Sequence, residues 1–516
     1  MAASSLPMEK DWKTSTTVTR NHFYNPGLTN RTYVLAGVAF SAIISCCCIV
    51  GGTVIISTRG LSGMVHLLSE DDSNLQLQML CLTLNFIVTV CTESIGLMHG
   101  ISLRSALASE SRLIFSTNLR LITAARRWLS PNGALLNGLM TVLLIISYTS
   151  VSLAWDISRI YFNDSKMIYH IDTMACLVLG IALLLQVAIA FAGMRSIEIL
   201  TWSSSPFDLI TALVHHAQLT PVSSRCMRGV VDLDIVEGPA KPLEVQPSAW
   251  NAHRSIQKVV LSLWVLVVAC AGWAVFVRCK QNTPTPSKSW SFTDWKVGYS
   301  FIYTIMPSGG VSVQTWIVAI VIQAVIQGPL TLGLHCSDLI VNIIQNEMQW
   351  RCAATRNGLH MMNPLKAFLM NRLGLVLFVL KFMLYWMFGL SFFFLFSSSK
   401  VTIGDLRVIM YVNQSLQHPH TLVQISNLCI ALLIFACVFT SASLRQPHGP
   451  QPATYGHLQT LANLVDEWLP MMWWGHKEDG TPYCHAGTSN HPLLGVKMDC
   501  VYAGSDVVSH PAIPGE

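Results

Sequence analysis

Two charged residues stand inside otherwise apolar runs, and they are the first candidates for chemistry. Glu93 interrupts LNFIVTVCTESIGLMHG, and Lys381 interrupts VLFVLKFMLYW. A charge in hydrocarbon costs at least about 2.5–3.5 kcal/mol, so such a residue faces a partner or a wet cavity. A carboxylate facing an ammonium makes an ion pair that can bind an ion or pass a proton. Two blander readings stay open: each side chain snorkels to the near interface, or the pair only fixes helix register.

A second group lies along one helix. Gln323 and Gln327 are four residues apart and share a face, and His335, Asp338 and Asn342 continue at i, i+3 and i+7. Such a stripe lines a vestibule or carries protons, or it is the polar face of an amphipathic helix leaving the bilayer. Gly328 and Pro329 lie between the two halves and predict a kink or a freed carbonyl. Farther on, His457, His476, Cys484, His485, His491 and Cys500 are ligand types, but their spacings match no standard zinc finger. No metal and no other cofactor is therefore expected. The chain has no G-x-x-x-x-G-K-[ST], H-E-x-x-H or G-x-S-x-G, and His215 and His216 precede no acidic or His partner at a recognised interval. No known catalytic class is supported, and the chain is not expected to be an enzyme.

The elements that must position these residues follow from composition. Of 516 residues, 11% are charged and 52% hydrophobic, with a mean hydropathy of +0.48. A soluble chain carries about a quarter charged residues. Eight runs are long enough to cross a hydrocarbon core of about 30 Å. They cover residues 33–56, 75–98, 134–155, 174–194, 259–277, 311–334, 373–396 and 422–444. The reading is an all-α polytopic transmembrane helix bundle: an N-terminal segment of residues 1–32, a bundle of residues 33–444 and a C-terminal tail of residues 445–516. With the N-terminus cytosolic, 22 Lys and Arg fall on the cytosolic side and 9 on the other, so both termini are expected in the cytosol. The sequons at Asn163 and Asn413 then face outward as candidate glycosylation sites, and the one at Asn30 faces inward. Counting from the helix ends, Glu93 and Lys381 both fall about 8–12 Å from the cytosolic boundary.

The remaining segments add detail. No apolar core precedes Tyr33, so the first span serves as targeting signal, and a secretory-pathway or plasma membrane is expected. The net charge is +5 and no basic run exists, which argues against nucleic acid as a partner. Most of the 15 Cys lie in apolar runs, and no Cys-x-x-Cys pair exists. Residues 100–133 have helical composition. Residues 202–217 read as an interfacial helix opened by Ser205 and Pro206, and 236–248 as irregular. Trp290, Trp295, Tyr299 and Tyr303 mark the outer loop between the fifth and sixth spans as a headgroup-level segment. The tail from Gln446 holds eight Pro and six His and is expected to be ordered only near residues 455–474.

Several stretches, taken in order, resemble a family of fungal multi-pass membrane proteins that has no assigned activity. They are LNFIVTVCTESIGLMHGISLR at 84–104, RLIFSTNLRLITAARR at 112–127, GLHCSDLIVN at 333–342, VLKFMLYWMFG at 379–389, YGHLQTLANLVDEW at 455–468, and the block 474–504. The resemblance spans nearly the whole chain. It implies a fungal origin and a membrane architecture, and it carries over no site. Members of that family usually have Asp where this chain has Glu93.

Two functions follow as expectations. One is a transporter or channel-like protein with a cytosol-facing polar cluster of Glu93, Lys381, Gln323, Gln327, His335 and Asp338, acting on a small molecule or ion. The other is a non-catalytic scaffold, sensor or assembly factor that meets a protein partner through its cytosolic loops and tail. An intramembrane enzyme has only the Glu, His and Lys chemistry in its favour.

Overall fold

The computed structural model describes residues 26–59, 64–68, 74–159, 167–222, 224–232, 238–280, 303–304, 313–360, 371–392, 395–399, 402–408, 420–480 and 482–503. Eight described helices are long and apolar enough to cross a membrane. In chain order they are Leu28–Arg59, Asn74–Ser109, Ala134–Leu153, Thr173–Arg195, Arg254–Lys280, Val313–Cys352, Arg372–Ser391 and His420–Leu444, hereafter the first to eighth helices. Each overlaps one of the eight apolar runs. A helix closes its backbone hydrogen bonds internally, which is what a segment in hydrocarbon requires.

Side-chain placement agrees with a lipid surround. Large apolar residues point outward from the bundle: Leu261 is 65% exposed, Val268 68% and Val325 70%. Water would penalise such a surface, and hydrocarbon does not. Inside, Val88, Ile95, Tyr148, Leu183, Leu384 and Phe439 are sealed into one continuous core. The first helix packs on the fourth so closely that a Cβ on Gly180 would overlap Ile49 and the Ser45 carbonyl, and the Ser45 hydroxyl donates to the Gly180 carbonyl at 2.6 Å. The seventh helix, which carries Lys381, packs against the second, the sixth and the eighth, so it sets that charge beside the helix that carries Glu93.

The described residues are mostly helical, but three small antiparallel sheets among them correct the all-α expectation. Met64–Leu68 and Trp155–Arg159 flank Met167–Asp172, joining the loop after the first helix to the loop after the third. Tyr303–Thr304 and Leu395–Ser399 flank Thr402–Val408, joining the loops after the fifth and seventh helices. Leu359–His360 and His485–Ser489 flank Met471–Glu478, joining the loop after the sixth helix to the tail. Pairing partners far apart in the chain are invisible to a reading of local periodicity. The remaining loops also meet the tail: Phe115 pairs with His457, Val245 with His448 and Ala240 with Tyr502.

Two further expectations change. The second helix runs on to Ser109, and residues 110–133 then form turns rather than helix. There the Glu110 carboxylate accepts from the Arg126 backbone N–H at 2.8 Å, which holds the loop back on the helix end. The tail is ordered well beyond residue 474. A short helix, Leu458–Leu464, and the hairpin of Met471–Glu478 and His485–Ser489 bury Trp468, Trp474 and Tyr502. Its Pro and His residues read as disorder by composition, yet His457 caps the short helix by accepting from Thr460 N–H. The sixth helix continues through Pro329 to Cys352. The Ser205–Pro206 start does open a helix, Pro206–His215, with Ser205 as its cap. Asn163 and Asn413 lie outside the described residues, as do Trp290, Trp295 and Tyr299.

Candidate functional site

Three helices bring four of the expected polar residues to one point. The Lys381 ammonium donates to Glu93 Oε1 at 2.5 Å and to Asp338 Oδ1 and Oδ2 at 2.7 and 2.8 Å. His335, one turn before Asp338, places Nδ1 3.4 Å from Glu93 Oε1 and 4.0 Å from Asp338 Oδ2. Its Nε2 has no hydrogen-bond partner among the described residues. The exposures differ by role. The side chains of Lys381 and His335 are 1% and 0% exposed, whereas Glu93 and Asp338 keep 26% and 33%. The nitrogen-bearing side of the cluster is buried, and the carboxylates are partly exposed.

One ammonium does not neutralise two carboxylates. A further positive charge nearby is Arg120, in the loop that follows the second helix. Its guanidinium lies against Gly96, where a methyl group would overlap Nη1, and it interacts electrostatically with Glu93, His335 and Asp338. Gly96 is one turn from Glu93, so its missing side chain opens the path by which Arg120 reaches the cluster. Glu93, Asp338, Lys381 and Arg120 together are formally neutral. Lys381 is hydrogen-bonded to both carboxylates and Arg120 adds charge from a distance, and such compensation is what lets charges persist in a low-dielectric interior.

An aromatic wall closes one side. Tyr148 stacks on Tyr385 with ring centroids 3.7 Å apart and planes at 17°. Tyr385 is one turn from Lys381, and Tyr148 also lies 5.7 Å from the His335 ring. The Tyr148 hydroxyl is 2.9 Å from Thr92 Oγ1 and donates to Thr89 Oγ1 at 3.3 Å, which fixes it beside Glu93.

Gln323 and Gln327 do not join the charges. They lie twelve and eight residues before His335, or about 18 and 12 Å along the helix. Both are fully buried, and Gln323 Nε2 donates to Gln327 Oε1 at 3.5 Å. Gln323 Oε1 and Gln327 Nε2 have no hydrogen-bond partner among the described residues. Thr331, also fully buried, continues the line at the next turn, so a polar stripe runs from Gln323 through Gln327, Thr331 and His335 to Asp338. Asn342 is exposed and leaves that stripe.

The charged group sits farther from the helix ends than the apolar runs imply. Lys381 is 9 residues from Arg372 and 10 from Ser391, close to the centre of the seventh helix. Glu93 is 16 residues from Ser109, because the second helix outlasts its apolar run.

The arrangement can do two things chemically. Glu93, His335 and Asp338 offer ligand atoms within 4.8 Å of one another, a metal-sized spacing. The Lys381 ammonium already fills it and, at 1% exposure, has nowhere to withdraw. The second possibility is proton exchange among two carboxylates and the ammonium hydrogen-bonded to them, with an imidazole 3.4 Å from the nearer carboxylate.

Sequence reasoning overlooked Arg120, Tyr148, Tyr385, Thr89, Thr92 and Thr331. Tyr385 at i+4 from Lys381 and Thr89 at i−4 from Glu93 were open to detection as same-face neighbours of a buried charge. Nothing in the sequence marks Arg120, because the path of its loop decides where it points. Comparison of the chain with protein-family models, with curated proteins and with solved structures finds no match.

Proposed function

We propose that this chain is a multi-pass integral membrane protein of the transporter or channel-like kind, and that protons are what its buried cluster handles. The observation that carries this reading is the contact of a buried ammonium with two partly exposed carboxylates, beside a buried imidazole, in the bundle interior. Intramembrane ionisable groups in hydrogen-bond contact are the usual material of proton relays. The buried stripe from Gln323 to Asp338, with unpartnered amide atoms, supports a path leading to that cluster.

On the same reading both termini are cytosolic, the cluster opens toward the cytosol, and Asn163 and Asn413 are glycosylated on the far side in a secretory-pathway or plasma membrane of a fungal cell. The Lys and Arg bias supports that orientation. A second reading, a scaffold or sensor that meets a protein partner, is favoured by the packed tail and the loops that pair with it.

The test is proton flux into proteoliposomes carrying an entrapped pH-sensitive dye, after a pH jump. Flux through the wild type that Glu93→Gln abolishes and Asn342→Ala leaves unchanged supports the relay. Wild-type vesicles no leakier than empty ones sink it and leave the scaffold reading standing.

A further inference from the structure

A second cluster, far from the charges in the bundle, lies in the tail. The end of strand Met471–Glu478 supplies His476, the turn that follows supplies Asp479, and Cys484 immediately precedes the return strand His485–Ser489. His476 Nε2 is 3.0 Å from Asp479 Oδ1, and Cys484 Sγ is 3.8 Å from the same oxygen. The three ligand atoms lie within 4.8 Å of one another. Cys500 comes from the closing segment of the tail, and its side chain neighbours that of Cys484. That segment is tied down next to Cys484: the Cys484 backbone N–H donates to the Val501 carbonyl at 2.9 Å, and the Ala503 N–H donates to the Cys484 carbonyl at 3.2 Å.

We propose that His476, Asp479, Cys484 and Cys500 form a tetrahedral zinc site that pins the last described segment of the tail onto its hairpin. Two thiolates, an imidazole and a carboxylate are the donor set that selects this metal over hard cations. With zinc–ligand bonds of about 2.0 Å to N or O and 2.3 Å to S, the edges of a tetrahedron are about 3.3 Å between N and O and 3.5 Å between O and S. The observed 3.0 and 3.8 Å bracket those edges. The imidazole is also oriented from behind, since His476 Nδ1 lies 2.9 Å from the hydroxyl of Tyr502, which is fully buried. A hydrogen bond at Nδ1 leaves Nε2 to meet the metal.

The Lys497 ammonium now holds Asp479 at 2.6 and 2.8 Å. It differs from Lys381 in one respect that matters. Lys497 and Asp479 have side chains 46% and 66% exposed, so the ammonium can swing into water when a dication arrives. Binding releases the two thiol protons to solvent and forms two Zn–S, one Zn–N and one Zn–O bond, with no change of oxidation state.

The experiment uses the full chain, produced with zinc in the medium and purified in detergent, with thiols alkylated before lysis in a parallel sample. Metal analysis is expected to find a single zinc per chain, which Cys484→Ser with Cys500→Ser removes and Cys352→Ser retains. Should the double variant fail to accumulate, Co(II) titration of the zinc-stripped wild type decides. A thiolate-to-cobalt charge-transfer band that saturates at a single equivalent supports the site, and no such band overturns it. Wild type without zinc, full zinc in the double variant, or a Cys484–Cys500 disulfide in the alkylated sample also overturns it.

Discussion

The Lys381 ammonium lies 2.5 Å from Glu93 Oε1, although the two residues are 288 positions apart in the chain. Asp338 shares the same ammonium, so the two substitutions have unequal effects. Glu93→Gln leaves Lys381 with Asp338 as partner. Lys381→Met leaves two carboxylates facing each other, and a broken buried pair costs about 3–5 kcal/mol. Lys381→Met is therefore expected to lower thermal stability in detergent more than Glu93→Gln, and the double variant is expected to recover part of the loss. Strict additivity of the two changes would show that the residues are not coupled.

Gly96 and Arg120 are expected to be coupled in the same way. Gly96→Ala puts a methyl group where the guanidinium rests, which forces Arg120 away from the carboxylates. The single change should destabilise the protein, and the same change in an Arg120→Met background should do little. A coupling of about 0.5–3 kcal/mol is the scale for residues in contact. A Gly96→Ala effect of equal size in both backgrounds would mean that Arg120 is not what the glycine admits.

Glu347, on the sixth helix, holds the tail. Its Oε2 accepts from the backbone N–H groups of Thr454 and Tyr455 at 2.8 and 2.9 Å, and Tyr455 sits in a left-handed conformation at φ 48°. Glu347→Ala leaves two buried donors unsatisfied, at about 1–3 kcal/mol each. Limited trypsin treatment is expected to leave the wild-type tail intact through Ala503 and to cut the variant after Arg445 and Lys477. Equal digestion of both would dispose of Glu347 as the anchor.

Asp172 supplies a pH test. It caps the fourth helix by accepting from Met174 N–H at 2.9 Å, and burial pushes its carboxyl up to about 7 against the pull of the Met174 and Ala175 N–H groups. The folded value lies above the unfolded one, near 4. The native state therefore binds the proton more tightly, and stability falls as pH rises from about 4 to 7. Asn keeps the cap without ionising. Asp172→Asn is expected to match the wild type at pH 4 and to melt higher at pH 8. Identical melting at both values would mean that the carboxyl is not perturbed.

The eight helices were legible because each is a long apolar run, and length alone distinguishes a membrane helix from a buried strand. Glu93 and Lys381 were legible as buried charges because each stands alone among apolar residues. Which residues surround them was not legible. Arg120 depends on a loop that folds back on its own helix, and Tyr148 is one of several hydroxyl residues, Ser147 to Ser150, that nothing in the sequence singles out. The tail failed for a different reason. Pro and His favour turns, so composition points to disorder, while Trp350, Trp468 and Trp474 supply the buried area that the tail needs to stay folded. The strands failed in part because one strand of each sheet comes from a different loop.

The sixth helix carries both Asp338 and Glu347, nine residues apart on one unbroken helix, a distance of about 14 Å. The first meets the buried ammonium and the second grips the tail. A helix is stiff over so short a length, so the two carboxylates turn together. The tail is thus a pointer fixed to the shaft: any rotation of the helix that re-aims Asp338 swings the tail's anchor by the same angle, and a label on the tail reads that rotation from outside the bundle.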